Sequence, residues 1–321
     1  MKECPVCLRS GGIDFHVKEM MFGTKKTFPY RECSSCGTLY MVAEGSGDIA
    51  RTYYSEQYYS FNDRAPKQFF VRRFLKAKRV ESIMWRETFL GAFLSKRRPM
   101  VLPTWLLRSR LSSFNDKILD VGCGSGGLLR YMENVGFRSL HGIDPFLPGD
   151  IAEGTLRISR KTIHDTDGRY DCIMFHHSLE HMIDPAESLS KAKSLLSYDD
   201  AIIIVRIPVK DSYAWREYKT NWVQIDSPRH QVIFTKDSMG SLCCRVGLEV
   251  LEVFCDSTEF QFWGSEQYKR GISLNSEISY SKNPSASVFS DSQIREFARR
   301  ADELNCESDG DQAVFVLRRA R

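Results

Sequence analysis

Three groups of side chains have the types and spacing to do chemistry. The first is Cys4, Cys7, Cys33 and Cys36, two C-x-x-C pairs with 25 residues between them. Each pair turns two thiolates to one side of a tight loop, and two such pairs can close a tetrahedron around Zn²⁺. Cysteine fills all four positions, so no coordination position stays open and the expected zinc is structural. A unit this short buries little apolar surface, so the metal must supply folding energy. A redox role would call for a thioredoxin-like βαβ pattern, which the surrounding residues lack.

The second group is Asp120 with Gly122, Cys123, Gly124, Gly126 and Gly127. Ile118, Leu119 and Val121 read as a short buried strand, and Leu128, Leu129 and Met132 have helical spacing. Strand, glycine turn and helix make a ligand-binding bend, with helix-start amides facing whatever is bound. Glycines at 122, 124 and 127 fit the dinucleotide fingerprint G-x-G-x-x-G, and those at 122, 124 and 126 fit a looser G-x-G-x-G. Asp120 suits an ammonium group and would oppose a pyrophosphate. A second strand from Leu140 ends at Asp144, where a carboxylate can take both hydroxyls of a ribose.

The third group is His176, His177, Glu180 and His181, with His230 further along. His177 and His181 are four apart, so on a helix they would share a face. A metal site with Glu180 is conceivable there, although the H-E-x-x-H order is absent.

Residues 118–127, 142–145 and 177–185, the last containing Leu179, Glu180, His181, Asp184 and Pro185 as L-E-H-x-x-D-P, resemble class I S-adenosylmethionine (SAM)-dependent methyltransferases. The resemblance covers roughly residues 110–260. It implies an α/β fold: a Rossmann-like sheet with helices on both faces, here joined to a small N-terminal zinc ribbon. It implies SAM held by Asp120, Gly122, Cys123, Gly124, Gly126, Asp144, Pro145 and His176. It also implies that the segment after the fourth strand points toward the transferred methyl, which makes His177 and His181 candidate catalytic groups. Pro228, Arg229, His230, Phe234 and Thr235 are similar to a segment of the same enzymes. They also resemble a segment of zinc-ribbon sugar C-methyltransferases whose histidine acts as a base. By that match His230 is the candidate base; capping of a helix that begins near Thr235 is the competing role.

The elements that must position these groups follow from the rest of the chain. Its 321 residues suit one large domain and a small appendage. The expected division is a ribbon over 1–42, a tyrosine-rich connector and basic helices over 43–113, and the methyltransferase domain over 114–321. Strands are expected at 155–159, 170–175, 201–208, 248–254 and 313–317, and a helix over 290–304. An insertion at 209–229 carries Trp215, Tyr218 and Trp222, and residues 263–268 could line an acceptor pocket. Tyr53, Tyr54, Tyr58 and Tyr59 read either as linker packing or as a lid.

Charged residues make up 27% and hydrophobic ones 42%, as in a soluble globular protein. No apolar run approaches a membrane span and the opening residues lack a signal-peptide core, so a cytoplasmic location is expected. Ten cysteines then argue against disulfides. Cys123, Cys172, Cys243, Cys244, Cys255 and Cys306 are expected as free, buried thiols. Residues 64–110 hold thirteen Lys/Arg against Glu81 and Glu87, a local charge of +11 in a chain of +4. Phe69, Phe70, Phe74 and Leu75 share one helical face there, and Trp85, Phe89 and Phe93 recur at spacing four. Such a stretch suits a solvated face over a core helix, a phosphate-bearing substrate, or RNA or an anionic membrane surface.

The expected function is methyl transfer from SAM to a small-molecule acceptor, a nucleotide- or lipid-linked sugar. The alternative is an RNA methyltransferase that uses the ribbon and basic helices to hold RNA. A non-enzymatic adaptor is the third reading, opposed by the intact glycine bend and both acids.

Overall fold

A computed structural model describes residues 3–53, 70–86, 88–97 and 100–321. Tyr54, Tyr58, Tyr59, Phe69 and the side chain of Phe70 therefore lie outside the described residues. In chain order the elements are β1 (Gly12–Lys18), β2 (Thr27–Cys33), β3 (Leu39–Met41), α1 (Ser46–Arg51), α2 (Phe70–Met84), α3 (Phe89–Arg97), α4 (Thr104–Leu107), β4 (Lys117–Val121), α5 (Gly127–Val135), β5 (Ser139–Ile143), β6 (Ile151–Glu153), β7 (Leu156–Ser159) and β8 (Cys172–His176). Then come α6 (Pro185–Leu195), β9 (Ile202–Pro208), α7 (Tyr213–Tyr218), β10 (Val232–Ile233), α8 (Lys236–Arg245), β11 (Leu248–Cys255), α9 (Phe260–Lys269), α10 (Asp291–Cys306) and β12 (Gln312–Arg319). A 3₁₀ turn, Leu179–His181, lies between β8 and α6.

The chain groups into two compact units. The first is Met1–Tyr54, Leu179–Leu189 and Arg206–Phe315; the second is Ser55–Ser178, Ser190–Val205 and Val316–Arg321.

In the second unit the strand order is β12-β9-β8-β4-β5-β7-β6, with β9 and β12 contributing the parts that fall within it. Parallel pairing joins β4 to β5 and β8, and β5 to β7; the edge strand β6 runs antiparallel to β7. Ile118, Leu119 and Val121 of β4 and Cys172–Phe175 of β8 are buried without alternation. That is the signature of strands covered on both faces. Trp85 packs edge-on against Phe114 and Phe137, and its indole N–H donates to the Leu111 carbonyl.

The basic stretch differs from its expected form. Met84 ends α2 and Phe89 begins α3, so Trp85, Phe89 and Phe93 do not line one helix. Among the described side chains of α2 Val80 is the buried one, whereas Phe74 is 47% exposed and Phe89 of α3 92%. Spacing had aligned the aromatics, but the tertiary packing selects the face.

In the first unit β1-β2-β3-β10 form an antiparallel sheet. Its fourth strand is only Val232–Ile233, paired with Leu39 and Tyr40, and it comes from the segment just after His230. Tyr30, Leu39, Trp222, Ile233 and Leu304 share one core. The Trp222 indole N–H donates to Asp311 (2.9 Å), which satisfies the polar atom that the burial would otherwise strand.

The helix expected near Thr235 is α8. The Thr235 hydroxyl accepts from the Ser238 amide, and the Ser238 hydroxyl accepts from the Thr235 amide in return, a capping box. Ser290 and Gln293 cap α10 in the same way. Residues 263–268, expected to line an acceptor pocket, lie in α9 with Trp263 and Tyr268 buried. All six cysteines outside the Cys4, Cys7, Cys33 and Cys36 cluster are free, but Cys123 is half-buried and Cys244 and Cys306, on α8 and at the end of α10, are exposed rather than buried.

The Thr235 hydroxyl also donates to the Cys36 carbonyl (3.2 Å), so one side chain caps α8 and fastens the cysteine loop. Thr235→Ala should cost about 1–2 kcal/mol of stability, measured by denaturant titration. Serine at this position should recover most of it.

Candidate active site

The glycine bend of the second unit follows β4. Gly122 and Gly126 have φ of +74° and +86°, which residues with a Cβ rarely adopt. A Cβ on Gly122 would come within 2.5 Å of the Ser178 Cβ, so the bend is packed as well as turned. The Gly122 and Cys123 amides both donate to the Ile143 carbonyl. Gly124 donates its amide to Asp144 Oδ2 (3.0 Å), and Phe146 donates to Asp144 Oδ1 (2.8 Å). The acid at the end of β5 is therefore held against the loop by two amides.

Asp120 is 2% exposed at the mouth of the bend. Burial pushes its carboxyl up to about 8, and the nearby Asp144 adds to the rise. Without a ligand it is thus mostly protonated near neutrality. A cation placed beside it would reverse that. Cys123 has its thiol held well above its ordinary range by burial and by the two aspartates, so it is a neutral packing group rather than a thiolate. Pro145 follows Asp144 directly, and His176, at the end of β8, packs edge-on against Trp105 with ring centroids 4.6 Å apart.

His177 does not share a helical face with His181. It has φ of +52°, and the chain then enters a 3₁₀ turn instead of an α-helix. His177 belongs to the second unit and His181 to the first.

In the first unit His181 meets His230 instead, with ring centroids 4.5 Å apart. His230 is 5% exposed, and Glu180 and Arg229 are fully buried. His230 Nδ1 lies 2.8 Å from the Gln224 carbonyl, and His181 Nδ1 lies 3.1 Å from the Arg229 carbonyl. A carbonyl only accepts, so each Nδ1 carries the hydrogen and the lone pair of a neutral ring is on Nε2. His230 Nε2 stands 3.9 Å from both Glu180 and Asp226. Burial pulls the His230 pKa down to about 4, helped by His181 and opposed by the two acids. Burial raises the Asp226 carboxyl, but Arg229 outweighs it and holds the group below its ordinary value. Sequence reading named His181 and His230 separately; 48 residues of intervening chain leave no periodicity that would pair them. Asp226 and Arg229 carried no signal beyond their place beside His230.

The cysteine cluster is also in the first unit. Sγ of Cys4 lies 3.6 Å from that of Cys36, and Cys7 3.5 Å from Cys33, with all four sulfurs within 4.8 Å of one another. Sulfurs bound at about 2.3 Å to one tetrahedral zinc stand roughly 3.8 Å apart. The donor set and its spacing fit that ion.

Asp120 makes a signed prediction. Its folded pKa is raised, so the native state holds a proton that the unfolded chain gives up near pH 4. Its contribution is full below that pH and is lost as pH rises through about 8. Asp120→Asn cannot titrate. Relative to wild type without ligand, it should gain stability steadily from pH 5 to 8.5, followed by thermal melts across that range.

A family model described as "Methyltransferase domain" matches residues 70–253, more than half of the chain. No curated protein matches. Among solved structures, the chain is similar to 1,6-didemethyltoxoflavin-N1-methyltransferase of Burkholderia thailandensis, solved with 1,6-didemethyltoxoflavin and S-adenosylhomocysteine bound. That match has 12% identity, covers 92% of this chain and 96% of the other, and has a TM-score of 0.43. An S-adenosylmethionine-dependent methyltransferase from Mesorhizobium loti matches at 16% identity over 67% and 96% of the two chains, TM-score 0.42. The cyclopropane synthase MmaA2 of Mycobacterium tuberculosis matches at 13% over 64% and 78%, TM-score 0.40. No helix among the described residues is long and apolar enough to cross a membrane. With its glycine bend, paired acids and family match over residues 70–253, the chain belongs to the methyltransferase-domain family and is a SAM-dependent methyltransferase.

Proposed function

We propose that this enzyme methylates a small, phosphate-bearing acceptor, a sugar carried on a nucleotide or a lipid. In this reading Asp120 receives the ammonium of the methionine moiety and Asp144 the ribose hydroxyls. Gly122, Cys123, Gly124, Gly126, Pro145 and His176 shape the remainder of the SAM site. SAM supplies an activated methyl on sulfonium. The protein's part is to align an acceptor atom and to remove its proton. A neutral hydroxyl is a poor nucleophile, and a base that takes its proton contributes roughly 10²–10⁴-fold.

The observation that carries the acceptor chemistry is the tautomer of His230. Its Nδ1 donates to Gln224, so the Nε2 lone pair faces outward from that bond, and burial keeps the ring unprotonated at pH 7. His230 and His181 are the groups we assign to the acceptor proton. His177, set in its own unit, is assigned to the wall of the SAM site. Cys4, Cys7, Cys33 and Cys36 hold a structural zinc that fixes the ribbon. The +11 stretch over residues 64–110 supplies cations for the acceptor's phosphate. The same stretch supports the RNA reading, which the assay below separates.

Incubation with labelled SAM and panels of nucleotide sugars, lipid-linked sugars and total RNA should place label in a sugar fraction. Label in RNA instead, falling steeply with salt, would replace the sugar reading. His230→Ala should lower kcat by roughly 10²–10⁴-fold and leave the Kd for SAM within about two-fold. Asp120→Asn should weaken SAM by about 10–100-fold, the worth of one charged hydrogen bond.

A further inference from the structure

We infer that Glu180, His181 and His230 form a second metal site, distinct from the cysteine cluster, that takes a divalent first-row transition ion. One ligand atom from each residue lies within 4.8 Å of the other two. Two imidazoles and one carboxylate are the donor set of open zinc and non-haem iron sites, which leave room for an exogenous ligand.

The surroundings of the two rings are those of metal ligands. A ligating histidine gives its other N–H to a carbonyl or carboxylate, which fixes the tautomer and turns the second nitrogen to the ion. Both rings do this, His230 toward Gln224 and His181 toward Arg229. The backbone holding them is tied down in turn. The Gln231 amide donates to the Glu180 carbonyl (2.7 Å), and the Tyr30 hydroxyl donates to the His230 carbonyl (2.8 Å). The 3₁₀ turn and the strand segment that supply the ligands are thereby held at a set separation.

Charge points the same way. Arg229 is the guanidinium of this pocket, and it is engaged by Asp226 and Glu19. Glu180 and Asp226 both stand 3.9 Å from His230 Nε2, so a cation there would meet two carboxylates. Buried charge of that kind is costly unless a cation joins it. Asp226 is bonded to Arg229 through both oxygens, and Glu180 is the carboxylate that comes within 4.8 Å of both rings. Ligands at about 2.1 Å from one tetrahedral ion stand roughly 3.4 Å apart. The 3.9 Å between His230 Nε2 and Glu180 Oε1 needs little closure to reach that.

The inference deepens the reading of His230 above: an ion held by Glu180, His181 and His230 would acidify the acceptor hydroxyl, whose proton would then pass to solvent rather than to the ligated imidazole. The site itself does not depend on which acceptor is used.

The test is cobalt loading of the full chain after removal of metal, with excess cleared by gel filtration. Wild type should retain two Co²⁺ per chain. One should show thiolate-to-cobalt charge transfer from the cysteine cluster, and the other only the weaker visible bands of nitrogen and oxygen ligation. Glu180→Gln and His181→Ala should each keep the charge-transfer band and lose the second ion, while still gaining thermal stability from SAM. One cobalt per wild-type chain, with thiolate bands alone, overturns the site whatever the variants do. Retention of two ions by both variants overturns it as well. Two ions in wild type with no methylation of any acceptor would leave the metal site standing and remove the acceptor reading.

Discussion

A buried carboxyl group with a second one close by is a costly object until a cation reaches it. Asp120 is such a group. It sits at the end of a strand covered on both faces, with Asp144 locked by two amides beside it. Neither can swing out to water. The glycine bend makes this arrangement possible, because its left-handed residues bring the Gly124 amide round onto Asp144. The site is thus charged in waiting: it keeps its proton when empty and favours a ligand whose positive end displaces it. A pyrophosphate would meet the opposite of what it needs.

The first unit handles buried charge differently. There Arg229 is fully enclosed and engages Asp226 and Glu19, and His230 is kept neutral by burial. The antiparallel sheet of this unit takes its fourth strand from the residues that follow His230, and Thr235 and Tyr30 bond across the same segment. The cysteine unit and the histidine pair are therefore parts of one folded body, although some 200 residues of sequence separate them. A zinc that orders the ribbon would, on this account, also order the backbone that carries His230.

Much of this was readable in the residues. Apolar residues at Ile118, Leu119 and Val121 and the unbroken run Ile202–Val205 announced buried strands, and Thr235 announced a helix start, because those signals are local. Gly122 and Gly126 declared a bend for the same reason. What failed was non-local. The two-residue strand Val232–Ile233 has no period to detect and exists only because Leu39 and Tyr40 lie beside it. Spacing of four suggested that His177 and His181 were partners, but the chain turns through a left-handed residue and a 3₁₀ turn between them. His181 then finds His230, a pairing that depends on tertiary structure. The spacing of Trp85, Phe89 and Phe93 likewise suggested one helical face, and the break between Met84 and Phe89 removed it.

The central claim is that Asp120 gives up its proton to bind the cofactor. Calorimetric titration with SAM at pH 7, run in two buffers of different ionisation heat, counts protons directly. With the carboxyl pushed up to about 8 in the empty protein, most of one proton should be released per SAM bound. Binding with no proton release would mean that this carboxylate does not meet the ammonium, and the account of the site would fail.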